Sequence, residues 1–226
     1  LSYPDENISQ FSPQECTKLK REGLYICMIK NPNPVAKNVT PHIRDAEFIR
    51  EKVPMTKEEI RHVSICKLHL KSDSVLYDVG SGTGSIAVEA ASLSDDMEVY
   101  AIEQKENAVQ LITQNKEKHG LENIHVINAK APDGMDNLPV PTHAFIGGSS
   151  GNLNEIIEAL KAKNPHIRIV INAISMETIC EIKEILSAYD VKNEDIVQLQ
   201  VSRSKQIGHY HLMQAENPVW ICSFEF

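Results

Sequence analysis

From residue 74 onward the chain alternates short β-rich runs with helix-patterned stretches, and this alternation restricts the fold more than any other feature. Apolar, β-branched runs stand at 75–79, 99–103, 124–127, 144–146 and 167–171. Helical patterns fill 84–92, 105–119, 152–163 and 176–188, and Gly120 follows the second of these, where a helix stop favours glycine. Such an order predicts an α/β fold: a mostly parallel, Rossmann-like sheet with helices on both faces. The end of the chain breaks the rhythm. Runs at 196–201 and 219–226 have no full helix between them, which predicts an antiparallel C-terminal hairpin at the sheet edge.

The first quarter is divided by prolines. Residues 24–29 form a compact apolar run that reads as a strand, and Lys30-Asn31-Pro32-Asn33-Pro34 cannot continue it. A domain boundary is expected near Asn38, giving segments 1–38 and 39–226. Beyond Pro54, apolar positions at Ile60, Val63, Ile65 and Leu68 predict a helix over 57–69, with Thr56 and Glu59 in capping-box register.

Composition excludes several classes. With 42% hydrophobic and 24% charged residues the chain is neither disordered nor collagenous. A net charge of −8 repels polyanions, so no nucleic-acid partner is expected. The five cysteines, Cys16, Cys27, Cys66, Cys180 and Cys222, are odd in number and contain no C-x-x-C pair. That argues against a disulfide framework and a cysteine-rich zinc site, and fits a reducing cytosol. No run approaches the roughly 18 apolar residues of a spanning helix, and the first residues lack the pattern of a signal peptide. Neither a membrane partner nor a structural metal is expected, and a start without Met suggests part of a longer chain.

The chemistry concentrates at Asp78-Val79-Gly80-Ser81-Gly82-Thr83-Gly84, where the first core strand turns into a helix. Glycines there let a ligand approach the backbone beside unpaired helix N–H groups. Dinucleotide sites favour G-x-G-x-x-G under a pyrophosphate; this turn is G-x-G-x-G with an acid two residues before it. A carboxylate opposes pyrophosphate but suits an ammonium group, which S-adenosylmethionine (SAM) carries. Glu103, ending the second strand, is placed to accept hydrogen bonds from ribose hydroxyls, a reading that fits NAD as well as SAM.

Further along, Lys130-Ala131-Pro132 follows the third strand, where such folds close over an adenine. Gly147-Gly148-Ser149-Ser150-Gly151 follows the fourth and is either a substrate-side anion cradle or a glycine-rich turn with Asn152 capping the next helix. Between Ile196 and Ala215 there is no acid, yet Arg203, Lys205, His209 and His211 are present, while Lys57 and Arg61 lie one turn apart. These cations either meet a carboxylate-rich small molecule or line solvated faces. His209 and His211 alternate as on one strand face. Cys66 and Cys180, among apolar neighbours, read as core.

These residues resemble a known family. From about Ile43 to Phe226, four-fifths of the chain, the sequence is similar to the cobalamin-pathway methyltransferases that methylate carbon 15 of a precorrin and decarboxylate its carbon-12 acetate. The resemblance rests on Asp45-Ala46-Glu47-Phe48-Ile49, Pro54-Met55-Thr56-Lys57 through Arg61, the turn 78–84, Ala131-Pro132, Phe145 through Gly151, and Asn217-Pro218-Val219. It implies a class I SAM-dependent methyltransferase fold, a homotetramer and a precorrin substrate. It also implies SAM contacts from Thr56, Asp78, Gly80, Ser81, Gly82, Thr83, Gly84, Glu103, Gln104, Lys130, Ala131 and Gly147. Thr56, Lys57, Gly148, Ser149 and His209 are the implied catalytic positions, with Arg203 and Lys205 as further carboxylate anchors. Where the family usually has an acid before Ala-Pro this chain has Lys130, which leaves adenine recognition to backbone atoms. Residues 1–34 are similar to the tail of a tetrapyrrole methylase domain often fused upstream.

Overall fold

The computed structural model describes residues 8–20, 22–23, 26–32 and 42–226. The chain divides into two compact units, Leu1–Lys37 and Asn38–Phe226.

In the first unit, α1 (Pro13–Cys16) is a single turn closed by a capping box, in which Ser12 N–H donates to Glu15 Oε2 at 2.7 Å. The strand expected over 24–29 does not form in the described part: residues 26–29 are irregular, and Ile26, Met28 and Ile29 are almost fully exposed. A strand needs a neighbour for its backbone groups, and none is present among the described residues. Leu24 and Tyr25 lie outside the described residues.

The second unit is built on a seven-stranded sheet. A 3₁₀ turn (Asp45–Glu47) leads to α2 (Glu58–Leu68), followed by β1 (Val75–Val79), α3 (Ser85–Ala91), β2 (Glu98–Glu103), α4 (Glu106–Lys118) and β3 (Ile124–Asn128). After these come β4 (His143–Ile146), α5 (Leu153–Lys163), β5 (Arg168–Ala173), α6 (Met176–Ala188) and β6 (Lys192–Leu199). The chain ends with β7 (Ser202–Ile207), β8 (Tyr210–Ala215) and β9 (Val219–Glu225). The sheet order is β3-β2-β1-β4-β5-β9-β6; the first five strands are parallel, and β9 runs antiparallel to both neighbours. Because β1 and β4 are adjacent while their neighbours run outward in opposite directions, the chain reverses there. Ligands bind at the carboxyl edge beside such a reversal.

The central strands β1, β4 and β5 bury both faces, while β6 at the sheet edge is largely exposed. Val79, Ile146, Ile169 and Ile171 pack with α5 and α6; Leu76, Phe145, Val170 and Ile221 pack on the side of α2, α3 and α4. Alternation along β5 therefore sends Ile171 to one face and Val170 and Asn172 to the other. Small and branched side chains, with Glu89 paired to Arg61, let α3 bury every residue it has, so the helix leaving the glycine turn is fixed against the sheet.

Two local expectations change. The capping box of Thr56 and Glu59 does not form, because α2 starts one residue later with Lys57 at the N-cap and no side-chain cap. Thr56 lies outside the helix, its carbonyl taken by Arg61 Nη1 at 2.7 Å. The terminal strands β6 and β9 pair antiparallel as expected, but the stretch between them forms a separate ribbon, β7 with β8, turned at Gly208 and His209. His209 is thus in the turn and does not share a strand face with His211. No helix among the described residues is long and apolar enough to cross a membrane.

Candidate active site

The turn after β1 is set by its glycines. Gly80, Gly82 and Gly84 have φ of +68°, +60° and +78°, the left-handed region that side chains disfavour. A Cβ on Gly80 would overlap the Gly148 carbonyl and sit 2.9 Å from its nitrogen; one on Gly82 would sit 3.0 Å from the Pro54 carbonyl. The turn is therefore wedged between the loop after β4 and the segment before α2.

Two acids secure it, from below and from the side. Asp78, fully buried, accepts from Ser81 Oγ at 2.6 Å and from the Ala87 amide at 3.1 Å, while its Oδ1 has no hydrogen-bond partner. Burial pushes its carboxyl up to about 7, against those two hydrogen bonds. Glu103 accepts from Gly82 N at 2.9 Å through one oxygen and from Gln104 N and Lys105 N, both at 3.0 Å, through the other. A carboxylate offers about four acceptor positions, so a lone pair stays open for a hydroxyl.

Above the turn lies a cavity of about 710 Å³. Gly80, Ser81, Gly82, Glu103 and Gln104 line one part of it, Lys130 and Ala131 border it, and Gly147, Gly148, Ser149 and Ser150 close it from β4. Gln104 Nε2 donates to Ser150 Oγ at 2.8 Å, joining the loops after β2 and β4. Thr56 and Lys57 enter from the segment before α2.

Other candidates lie elsewhere. Asp78, Thr83 and Gly84 do not line the cavity; they form the layer beneath it, where a Cβ on Gly84 would press Ile112 at 3.1 Å. The ammonium contact expected of Asp78 is replaced by a hold on the turn. Thr83 Oγ1, also fully buried, has no partner. His209 and Lys205 are exposed on the ribbon and do not line the cavity. Arg203 faces acids instead of the cavity: it pairs with Glu59, with Glu216 at 3.5 Å, with Glu58 at 3.8 Å and with Asp45 at 3.9 Å. These pairs bind the ribbon's base to the start of α2.

Arg61 is fully buried, neither solvated nor a substrate anchor. Its guanidinium holds Glu89, Asp45 at 3.1 Å and the carbonyls of Thr56 and Ile43. Cys66 and Cys180 are exposed, because α2 and α6 turn those positions outward; Cys222 is the buried one. The cations that do line the cavity are Lys52, Lys57, Lys105 and Lys130, of which the sequence reading singled out Lys57 and Lys130. It also passed over Asn172, Ser175 and Thr178. Only Ser175, in the turn after β5, had a position that could have pointed to it; Asn172 lies inside β5 and Thr178 inside α6.

Residues 47–225 match the precorrin methyltransferase domain family. The chain belongs to that family. A cobalt-precorrin-6B C(15)-methyltransferase (decarboxylating) from Salmonella typhimurium is 35% identical over 181 residues, covering 79% of this chain and 93% of the relative. The crystal structure of a precorrin-6y C5,15-methyltransferase from Geobacter metallireducens superimposes with a TM-score of 0.77 at 33% identity, over 82% of this chain and 97% of that one. A precorrin 8W decarboxylase from Methanobacterium thermoautotrophicum gives 0.74 at 32%, over 80% and 98%. The fold is that of class I SAM-dependent methyltransferases.

A SAM molecule fits the residues present. Gly80 and Gly82 present bare backbone to a cavity of about 710 Å³, and Glu103, which also lines it, has acceptor capacity to spare.

Proposed function

We propose that this chain methylates carbon 15 of a precorrin from SAM and removes the carboxyl group of its carbon-12 acetate, within cobalamin biosynthesis. The carrying observation is the wedge of Gly80 against Gly148 under a cavity bordered by four lysines, in a chain of this family. SAM supplies a sulfonium methyl group for in-line displacement. The protein's part is alignment and water exclusion, with no nucleophile of its own.

The Gly80 to Gly82 backbone would hold the methionine end, Glu103 the ribose, and Gln104, Lys130 and Ala131 the adenine side. Gly147 to Ser149 and Thr56 would face the methyl group. A precorrin carries acetate and propionate groups, and Lys57, with Lys52, would anchor some of them. Lys57 already lies 3.7 Å from Asp45 Oδ2, so a substrate carboxylate would exchange one oxygen partner for another.

We read residues 1–38 as the tail of an upstream tetrapyrrole methylase domain, the enzyme as cytoplasmic, and the assembly as a homotetramer. For the last, the β7–β8 ribbon offers support: Ile207, Tyr210 and Leu212 share one face and are all more than half exposed. A two-stranded ribbon is marginal alone and gains from being covered.

Incubation with SAM and a precorrin-6 substrate, following methyl incorporation and CO2 release, tests the reading. Both are expected. Lys57→Ala should raise the precorrin KM about tenfold, the worth of one charge-assisted hydrogen bond, with SAM affinity unchanged. A chain that binds SAM and transfers no methyl group to the precorrin would refute the assignment.

A further inference from the structure

The charges lining the cavity are unevenly distributed along the sheet edge. Lys52 and Lys57 precede α2, Glu103 ends β2 and Lys105 follows it, Lys130 follows β3, and Glu216 precedes β9. The lining from β4, β5 and the residues following each of them contains no charged side chain. It offers hydroxyls, apolar groups such as Ile174, and one carboxamide, Asn172.

That carboxamide is held by Ser64, buried on α2. The one Ser64 hydroxyl proton has two acceptors in reach, the Ile60 carbonyl at 2.8 Å, one turn back along the helix, and Asn172 Oδ1 at 3.1 Å. The Ser64 oxygen in turn accepts from Asn172 Nδ2 at 3.0 Å. The second N–H of Asn172 and a lone pair of its carbonyl oxygen are left for a ligand, at the carboxyl end of β5, in the part of the cavity without charges.

A carboxylate that must leave as CO2 has particular needs. A cation beside it would stabilise the ground state more than the transition state, in which the negative charge has moved into the ring, and so would slow the loss. A neutral donor gives direction with less of that penalty, and apolar surroundings favour the charge-dispersed transition state. We propose that Asn172 receives the acetate carboxylate that is lost, and that Ser64 is the positioning residue that fixes which edge of the amide the substrate meets. The inference rests on the function proposed above. In the step, the bond between the carboxyl carbon and the acetate methylene breaks and CO2 departs. The electron pair passes into the conjugated macrocycle, and one proton taken from solvent ends on the methylene carbon, making it a methyl group.

The test compares the whole chain with Asn172→Ala, Asn172→Asp and Ser64→Ala, measuring methyl incorporation, CO2 release and, by calorimetry, SAM affinity. Asn172→Ala should lose CO2 release by about tenfold, one hydrogen bond's worth, and methyl incorporation far less. Asn172→Asp, equal in size, should lose more CO2 release because it repels the carboxylate. Ser64→Ala should show the same split in milder form. SAM affinity within about twofold of wild type in Asn172→Asp establishes that the site is folded. If the wild type performs both reactions and the Asn172 variants lose them in parallel, or keep both, the Asn172 assignment falls alone. If the wild type binds SAM but performs neither, the reading of function falls and takes this inference with it.

Discussion

Gly80 and Gly148 meet backbone to backbone, with no room for a Cβ between the turn after β1 and the loop after β4. Both sides of that contact line the cavity, so its closeness sets where a methyl donor would sit relative to its acceptor. Gly80→Ala adds about 1–2 kcal/mol of backbone strain at φ +68°, and a clash with Gly148 besides. The expected result is a SAM affinity reduced by more than about tenfold in calorimetry, with the far-ultraviolet dichroism of the sheet and helices preserved.

Arg61 and Arg203 share Asp45 yet differ in weight. Arg61 is fully buried and joins the segment before α2 to Glu89 on α3, whereas Arg203 is 39% exposed. Removing one partner of a buried pair costs about 3–5 kcal/mol, and an exposed one about 0–1 kcal/mol. Denaturant unfolding should therefore show Arg61→Met strongly destabilised and Arg203→Met nearly unchanged. Where Arg61→Met remains folded at low temperature, its SAM affinity should fall as well, because the Pro54 carbonyl would no longer be held against Gly82.

The parts legible in the sequence are those whose cause is local. Short β-branched runs and helical patterns reported the strands and helices, and G-x-G-x-G after a strand located the ligand turn, since backbone conformation alone demands those glycines. The roles of cations were not local. Arg61 and Lys57 have the same spacing on a helix whether they face water, substrate or core. Only packing against Phe48, 4.8 Å from the guanidinium, and against Glu89 buries the arginine. The basic stretch 196–215 looked like a substrate face because three of the four acids that occupy Arg203, namely Asp45, Glu58 and Glu59, come from α2 and its approach, more than 140 residues earlier. The fourth, Glu216, stands just past the end of the stretch. Asn172 carried no signal at all: its orientation depends on Ser64, 108 positions away.

The β7–β8 ribbon should be where copies of this chain meet. On it Ile207, Tyr210 and Leu212 stand on one face, 53%, 75% and 54% exposed. Covering them removes apolar area worth about 25 cal/mol per Å². Sedimentation velocity is expected to give a tetramer for the wild type and smaller species for the double variant Tyr210→Asp, Leu212→Asp. Since neither residue lines the cavity, SAM affinity should survive dissociation. A wild type that sediments as a monomer would count against the ribbon's proposed role.

Two buried groups make opposing demands on pH. Burial raises Asp78 to about 7 from an unfolded value of 3.8, so the folded chain binds more protons than the unfolded one between those values. The corresponding stability is complete below the unfolded value and is lost as pH rises through about 7, on the order of 4 kcal/mol in all. Burial, with Arg168 and Lys71 nearby, lowers His143 to about 4 from 6.5. Its contribution is complete above 6.5 and is lost as pH falls through about 4. The two slopes partly cancel between pH 4.5 and 6.5 in the wild type. Thermal unfolding at intervals from pH 5 to 8 should therefore separate them. Relative to wild type, Asp78→Asn should gain stability steadily toward pH 8, as the cost of an ionised buried carboxylate disappears. His143→Asn should instead improve relative to wild type toward pH 5. Parallel pH curves for all three proteins would show that neither group titrates differently in the folded chain.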